Sequence, residues 1–309
     1  MFSATTFESL LYHIRNKGAL AEDAEITLEA NPSTAEAGRF KAYRETGINR
    51  LSIGIQSFDD KQLKKLGRIH NSEEAIRAIE YCTLAGFDNF NLDIMHSLPD
   101  QKVEDALKDL ELAISFQPQH ISWYQLTIEP NTVFYSEPPK LPEDIVQAEL
   151  EAAGLQLLAD SSYKRYEVSA YARTKRQSRH NLNYWNFGDY LGIGAGAHGK
   201  ITDIENQTIF RTRKHKQPNH YLSSTVSRTA ETREVSVEDR AMEFLLNALR
   251  LKDGFDIDMF EMRAGVAFST IGNGVEYLCS RALLQKQDRR IRCTDKGYTV
   301  LNSILEEFL

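Results

Sequence analysis

Strand-like and helix-like segments alternate through the first half of the chain, and this alternation constrains the fold more than any other feature. Short apolar runs, such as residues 50–57 and 90–95, precede segments such as 103–116, where apolar residues recur at helical spacing. Each strand–helix unit takes roughly 30–40 residues. Such alternation predicts right-handed βαβ crossovers and a parallel sheet or partial barrel, so the expected fold class is α/β.

A polar side chain stands near the end of each of four successive predicted strands. These residues are Glu29, Gln56, Asp93 and Gln125. In parallel α/β folds the working residues lie at the carboxyl ends of the strands. Capping of a neighbouring helix or loop explains any one of them, but four in succession favour a ligand site.

Composition narrows the class of protein. The 309 residues carry a formal net charge of −7, with 41% hydrophobic and 26% charged residues, which is typical of a globular protein. The negative charge argues against a general nucleic-acid or anionic-membrane binder, and no apolar run approaches the ~20 residues of a membrane span. Cys82, Cys279 and Cys293 are too far apart for a disulfide framework or a local metal clip, which favours a reducing cytoplasm.

Residues 180–199, HNLNYWNFGDYLGIGAGAHG, are typical of neither a plain helix nor a plain strand. An imidazole beside aromatic rings suits an iron porphyrin, which needs a nitrogen ligand and flat walls. The alternative is a structural histidine hydrogen-bonded within a sheet. The basic stretch before this segment is expected to be a solvated turn, or else a contact for porphyrin propionates; it contains Arg173, Lys175, Arg176 and Arg179.

The last part of the chain, from about residue 235, contains short predicted helices and a small hairpin, like a winged-helix module. It lacks the concentrated basic face of a DNA reader, so packing or covering of a substrate is favoured over DNA binding. The expected domains are residues 1–160, 161–234 and 235–309.

Seven motifs, in order along the chain, carry a resemblance to a known family. They are LEANP (28–32), IGIQSF (53–58), LGRIHN (66–71), NLDIMHSLP (91–99), YQLTIEPNT (124–132), HNLNYW (180–185) and GDYLGIGAGAHG (188–199). Together they resemble the HemW-type haem chaperones, relatives of oxygen-independent coproporphyrinogen III oxidase in the radical S-adenosylmethionine (SAM) superfamily. The resemblance covers essentially the whole chain.

The resemblance implies a partial (β/α)₆ radical SAM barrel with a C-terminal domain, and a carrier that passes haem to acceptor apoproteins. Two sets of site residues follow from it. Glu29, Gln56, Arg68 and Asp93 would contact SAM. His180, Asn181, Tyr184 and Trp185 match the family's HNxxYW haem motif, with His180 as the candidate ligand of the haem iron and Tyr184 as the alternative.

The sequence departs from the family pattern at its start. The family begins with a strand and a Cys-x₃-Cys-x₂-Cys loop that holds a [4Fe–4S] cluster, followed by a GGGTP-like turn, and neither occurs in these residues. The barrel is therefore expected to lack its first two strand–helix units, with residues 24–30 as a sheet edge and no catalysis by the chain as written. The alternative functions are a coproporphyrinogen III oxidase in full-length form, which converts two propionates to vinyls, and an inert fragment.

Overall fold

The computed structural model describes residues 2–18, 20–223, 225 and 227–308. The chain forms two compact units, the first ending at Ser178 and the second beginning at Arg179. The predicted strand–helix alternation is confirmed in the first unit, which has an α/β fold.

The elements of the first unit follow the predicted order. The helices are α1 (Ala4–Asn16), α2 (Ala37–Thr46), α3 (Asp60–Lys65), α4 (Ser72–Leu84), α5 (Val103–Ser115), α6 (Val133–Ser136) and α7 (Asp144–Asp160). The strands are β1 (Thr27–Ala30), β2 (Arg50–Gln56), β3 (Phe90–His96), β4 (His120–Gln125), β5 (Lys164–Glu167) and β6 (Ala170–Ala172). A 3₁₀ turn, Pro32–Thr34, follows β1.

One six-stranded sheet organises this unit, in the order β1-β2-β3-β4-β6-β5. Strands β1 to β4 run parallel, and β6 pairs antiparallel with both β4 and β5. Strand β1 lies at the edge, as predicted, although it covers only Thr27–Ala30. The residues YKRYEVSAY predict a single strand at 163–171, and this prediction is wrong. Arg165 and Glu167 hydrogen-bond the backbone of Val168 and Ser169, and these bonds stabilise a turn between two strands.

The two faces of the sheet differ in polarity. One face carries fully buried apolar side chains, among them Leu51, Ile53, Leu92 and Ile121, which form the core with the helices. Trp123 belongs to the same core, and α7 approaches its ring at a glycine. A Cβ on Gly154 would lie 2.5 Å from Cζ2 of Trp123, so only glycine permits this packing. The other face is polar and carries the site described below.

The second unit contains seven helices and two small sheets among its described residues. The helices are α8 (Arg179–Trp185), α9 (Pro218–Ser223), α10 (Val237–Ala248), α11 (Ile257–Ala264), α12 (Ser269–Ser280), α13 (Asp295–Thr299) and α14 (Leu301–Glu306). The strands are β7 (His198–Asp203), β8 (Thr208–Lys214), β9 (Thr229–Glu234), β10 (Phe255–Asp256), β11 (Leu284–Gln287) and β12 (Arg290–Cys293). Both sheets are antiparallel, in the orders β7-β8-β9 and β10-β12-β11.

Three phenylalanines form the hydrophobic core on which the C-terminal helices pack. Phe244, Phe255 and Phe260 are fully buried, and Phe244 meets both of the others edge to face at 5.1 Å. Such packing stabilises a pair by about 1 kcal/mol beyond area burial. No helix in the described part of the chain has the length and apolar character that a bilayer crossing requires.

Candidate functional site

Polar side chains line one face of the six-stranded sheet in the first unit. The Cα register aligns Glu29, Ser52, Asn91 and His120 across β1 to β4, and the next row pairs Asp93 with Ser122. Because side chains in register on neighbouring strands point to the same face, these groups share one surface. This is the face opposite the apolar core.

Asp93 is a half-buried carboxylate of this polar face. Ser52 Oγ donates to its Oδ2 at 3.2 Å, and Asn91 Nδ2 donates to its Oδ1 at 2.8 Å. Burial raises the pKa of Asp93, these hydrogen bonds oppose the rise, and the charge of Glu29 adds to it. Asp93 lies in the middle of β3, not at its end as predicted. A cationic ligand would relieve the repulsion between the two carboxylates.

Gln56 joins the same face through Tyr124. Gln56 folds back over a glycine, since a Cβ on Gly54 would lie 2.9 Å from Gln56 Nε2, and its Oε1 accepts a hydrogen bond from Tyr124 Oη at 2.6 Å. Burial raises the pKa of Tyr124 to about 12; Asp93 adds to the rise and the charge of Arg68 opposes it. Gln56 and Asp93 therefore share this face with Glu29, whereas Arg68 is linked to it only by the effect of its charge on Tyr124.

Gln125, the fourth polar strand-end residue of the sequence pattern, does not join this region. Its amide nitrogen donates to Gln147 Oε1 of α7 at 2.5 Å. Gln125 contacts helix α7 instead of the polar face, because its neighbour Tyr124 takes the polar face and alternation turns Gln125 the other way.

A buried histidine that sequence reasoning missed supports the polar face. His120 Nδ1 lies 2.6 Å from Asn91 Oδ1, and its Nε2 lies 2.8 Å from Tyr166 Oη. An amide oxygen only accepts, so Nδ1 carries the proton and Nε2 accepts from the phenol. Burial and the charge of Arg50 hold the pKa of His120 well below its usual range. The neutral ring thereby turns the amide nitrogen of Asn91 toward Asp93.

The buried histidines of the first unit, His96 and His120 among them, predict that acid lowers its free energy of unfolding. Burial lowers the pKa of His96 to about 4, and that of His120 also lies well below 6.5. The unfolded chain therefore binds more protons below about pH 6.5, and each histidine costs up to about 1.4 kcal/mol per pH unit as the pH falls. Burial also lowers the pKa of His70, which adds to the loss, and raises the pKa of Asp93 and, to about 6, that of Asp109, so these two carboxyls act in the opposite direction. We expect a net loss of about 2 kcal/mol between about pH 7 and pH 5.

Urea unfolding followed by Trp123 fluorescence, in a Trp185→Phe background, measures this loss. Since the chain has two tryptophans, the substitution leaves a reporter in the first unit alone. An unfolding midpoint that stays constant or rises on acidification would contradict the assignment of neutral buried histidines.

The HNLNYW segment opens the second unit as helix α8, so the expectation of neither helix nor strand is wrong there. His180 and Tyr184 stand one helical turn apart, with ring centroids at 4.6 Å, and Tyr184 meets Tyr190 at 4.4 Å. The imidazole of His180 is exposed. The three rings form one row, which we call the aromatic row.

The electrostatics of the aromatic row favour His180 over Tyr184 as an iron ligand. Burial and the neighbouring Tyr190 raise the pKa of Tyr184, so its phenol stays protonated at neutral pH. Phenolate ligation would therefore require removal of a tightly held proton, whereas a histidine ligates through a neutral nitrogen.

Asn181 and Trp185 lie one position further along the helix, about 100° around its axis from His180 and Tyr184. Both are half-buried, and the guanidinium of Arg250 lies 4.3 Å from the Trp185 ring centroid. The indole Nε1 is buried and has no hydrogen-bond partner among the described residues. The structure thus brings together two of the four predicted haem residues, His180 and Tyr184.

The glycine-rich loop returns the chain from Tyr190 to β7. His198 is the first residue of that strand, and the backbones of Tyr190 and Lys200 exchange two hydrogen bonds of 2.9 Å. A Cβ on Gly192 would lie 2.6 Å from the carbonyl carbon of His198, so only glycine fits this crossing. Leu191 is mostly exposed beside the aromatic row.

Comparison with known proteins gives the family. The radical SAM superfamily model matches residues 4–113, and the HemN C-terminal domain model matches residues 235–300. The haem chaperone HemW of Haemophilus influenzae is 45% identical over this whole chain and 80% of its own length. HemW of Escherichia coli is 44% identical over the whole chain and 81% of its own length.

A solved structure supports the same fold. The coproporphyrinogen III oxidase HemN of Escherichia coli, a radical SAM enzyme, aligns with a TM-score of 0.80 over 99% of this chain and 74% of that one. Its sequence identity is 19%, so the likeness concerns the fold alone. With the fold, the motifs and these identities in agreement, the chain belongs to the HemW family of haem chaperones within the radical SAM superfamily.

Proposed function

We propose that this protein binds haem at the aromatic row and passes it to acceptor apoproteins. The observation that carries this proposal is the exposed His180 imidazole in contact with Tyr184, which in turn meets Tyr190 edge to face. The rings supply flat surface for a macrocycle and the histidine supplies a nitrogen for the iron. Because this ligand is at the surface, an acceptor with its own axial ligand can compete for the iron, as a carrier requires.

The coproporphyrinogen oxidase alternative has less support. Relatives that share 44–45% of this sequence carry the chaperone name, whereas the oxidase shares 19%. We define the acceptor by its chemistry: it is an apoprotein with a vacant haem pocket.

Haem titration tests the proposal. Haemin added to the chain should give a saturable Soret band, shifted from that of free haemin and reaching about one haem per chain. The loaded chain should then transfer haem to an apoprotein across a size-exclusion step. Absence of a saturable shift would overturn the haem proposal. Conversion of coproporphyrinogen III to protoporphyrinogen by the same chain would support the oxidase instead.

We also infer that the polar face of the first unit is a SAM site, with Glu29, Gln56, Arg68 and Asp93 as contacts. SAM carries an ammonium, a sulfonium and ribose hydroxyls, which suit the Glu29–Asp93 pair. Burial raises the pKa of Asp93, and the charge of Glu29 adds to the rise. The exposed Arg68 suits the carboxylate of the methionine moiety.

The three cysteines of this chain do not fit the [4Fe–4S] cluster that the family implies. They are Cys82, Cys279 and Cys293. Burial raises the pKa of both Cys82 and Cys293 to about 12, and that of Cys279 is raised as well. Iron binds the thiolate, which such burial disfavours. No group of three or more His, Cys, Asp or Glu side chains suited to a metal occurs among the described residues.

Reconstitution of this chain with iron and sulfide should therefore give no stoichiometric cluster absorbance, and SAM should bind weakly. Equilibrium dialysis with labelled SAM measures the second point, and Asp93→Asn should weaken binding further because it removes a negative charge from the site. A full cluster signal would contradict the cysteine assignment. Equal SAM binding by parent and Asp93→Asn would contradict the polar-face site.

Finer features of the fold stay proposals. We infer that the parallel sheet belongs to a partial (β/α)₆ barrel, supported by helices on one face and a polar opposite face. The helices α10 to α12 with the β11–β12 hairpin suit a winged-helix-like module. The three-part division at residues 160 and 234, and a cytoplasmic location, likewise stay predictions.

A further inference from the structure

A cleft of about 350 Å³ opens on the β7-β8-β9 sheet of the second unit, next to the aromatic row. It is lined by Tyr190, His198, Gly199, Arg211, Thr212, Arg213, Glu231 and Arg233. Tyr190 belongs to both features, so the last ring of the aromatic row is also a wall of the cleft.

The register of the sheet concentrates positive charge at this cleft. Lys200, Arg211 and Arg233 are direct cross-strand neighbours on one face, and Arg213 lies in the adjacent row with His198. Like charges placed directly opposite one another destabilise a sheet, so a row of three cations costs stability unless anions offset it.

Carboxylates among the described residues offset only part of this positive charge, and Asp189 pairs with Lys200 at 2.7 Å. Glu243 is shared, since its Oε2 pairs with Arg211 at 2.7 Å and its Oε1 with Arg233 at 3.1 Å. Glu231 pairs with Arg213 at 3.0 Å. Three guanidiniums thus meet two carboxylates at the cleft, which leaves a net positive charge.

The three arginines of the cleft have two roles. Arg211 positions Tyr190, whereas Arg213 and Arg233 keep N–H groups that no described residue accepts. Arg211 uses Nε and Nη2 on Glu243 and Nη1 on Tyr190 Oη at 3.1 Å, so it fixes the tyrosine. Arg213 uses Nε and Nη2, and Arg233 uses Nη2 alone, among the contacts of the described residues. Both side chains are about half exposed, at 46% and 51%.

We propose that this arginine cleft binds the carboxylate side chains of the porphyrin carried on the aromatic row. This rests on the proposed haem-carrier function and adds the position of the propionates to it. A flat macrocycle against the tyrosines would present its propionates to Arg213 and Arg233, whose remaining N–H groups donate charge-assisted hydrogen bonds. Arg211 is a positioning residue, because it holds Tyr190 in place between the macrocycle and its propionates.

The basic stretch before α8 suits this role less. Arg173 donates to the carbonyl oxygen of Pro118 at 3.3 Å and stacks on Tyr163 at 5.0 Å. The guanidinium of Arg173 is therefore committed within the first unit, whereas Lys175, Arg176 and Arg179 are exposed, as a solvated turn would be.

Esterified haemin tests the proposal with the whole chain. Haemin and haemin dimethyl ester are titrated against the parent and an Arg213→Gln/Arg233→Gln variant, with Arg290→Gln, an exposed arginine of β12, as the matched control. We expect the parent and Arg290→Gln to prefer haemin by about tenfold, and the double variant to show a preference within about twofold. Affinity for the ester should stay unchanged in all three proteins.

The outcomes separate the two proposals. A parent that binds neither ligand overturns the carrier function and the cleft together. A parent that binds haemin, with the same preference surviving in the double variant, overturns the cleft alone. Equal weakening of ester and haemin in the double variant also overturns it, because the preference for free carboxylates then does not depend on these arginines; thermal unfolding by circular dichroism checks that the variant is folded.

Discussion

Gly192→Ala should destabilise the second unit by about 3 kcal/mol and lower its melting temperature by roughly 10 °C. The new Cβ would lie 2.6 Å from the carbonyl carbon of His198 and closer still to its oxygen. Backbone atoms cannot rotate aside as a flexible side chain can, so the loop or the first residue of β7 must move.

The same substitution should weaken haem binding. Gly192 lies inside the loop closed by the two backbone hydrogen bonds between Tyr190 and Lys200. A shift of His198 at the start of β7 would therefore move Tyr190, which ends the aromatic row and lines the arginine cleft. Loss of stability and loss of haem affinity should appear together in this variant.

Gly272→Ala is the matched control. Gly272 lies within α12, where a Cβ meets nothing within 4 Å. Alanine is the better helix former by up to about 1 kcal/mol, so this variant should be as stable as the parent or slightly more stable. Both are compared by thermal unfolding and haemin titration. A Gly192→Ala protein with the parent's melting temperature and haem affinity would show that the crossing is not tight.

The order of elements in the first unit could be predicted because periodicity and turn signals agree there. Strands β2 and β3 and helix α5 begin where predicted and end within one residue of the expected position. Helix α8 was missed because seven residues give too little periodicity to recognise. The β5–β6 hairpin was missed because side-chain bonds to Val168 and Ser169, which no spacing rule reports, create its turn.

The sites were predictable only where neighbouring positions in sequence are neighbours in space. His180 and Tyr184 are one helical turn apart, so their contact follows from spacing once the helix is known. The link between His120 and Asn91 spans two strands, and its signal was polar residues at alternate strand positions. The arginine cleft depends on the register of β7 with β8 and of β8 with β9, which a single sequence does not reveal.

The central claim is that His180 ligates the iron of bound haem, and its exposure means that His180→Ala should leave the fold intact. Two variants serve as controls within the same unit. Tyr184→Phe keeps a ring in the aromatic row and removes the alternative ligand. His198→Ala removes the exposed histidine of the arginine cleft, which we do not assign to iron.

Haemin titration of these three variants beside the parent is the most direct measurement. We predict that His180→Ala loses most of the Soret shift and at least about 100-fold in affinity, about 2.7 kcal/mol, while Tyr184→Phe and His198→Ala keep the parent's spectrum. If His180→Ala keeps the parent's spectrum and affinity while His198→Ala loses them, the wrong histidine has been assigned. If all three behave as the parent does, the aromatic row is structural and the site assignment is contradicted.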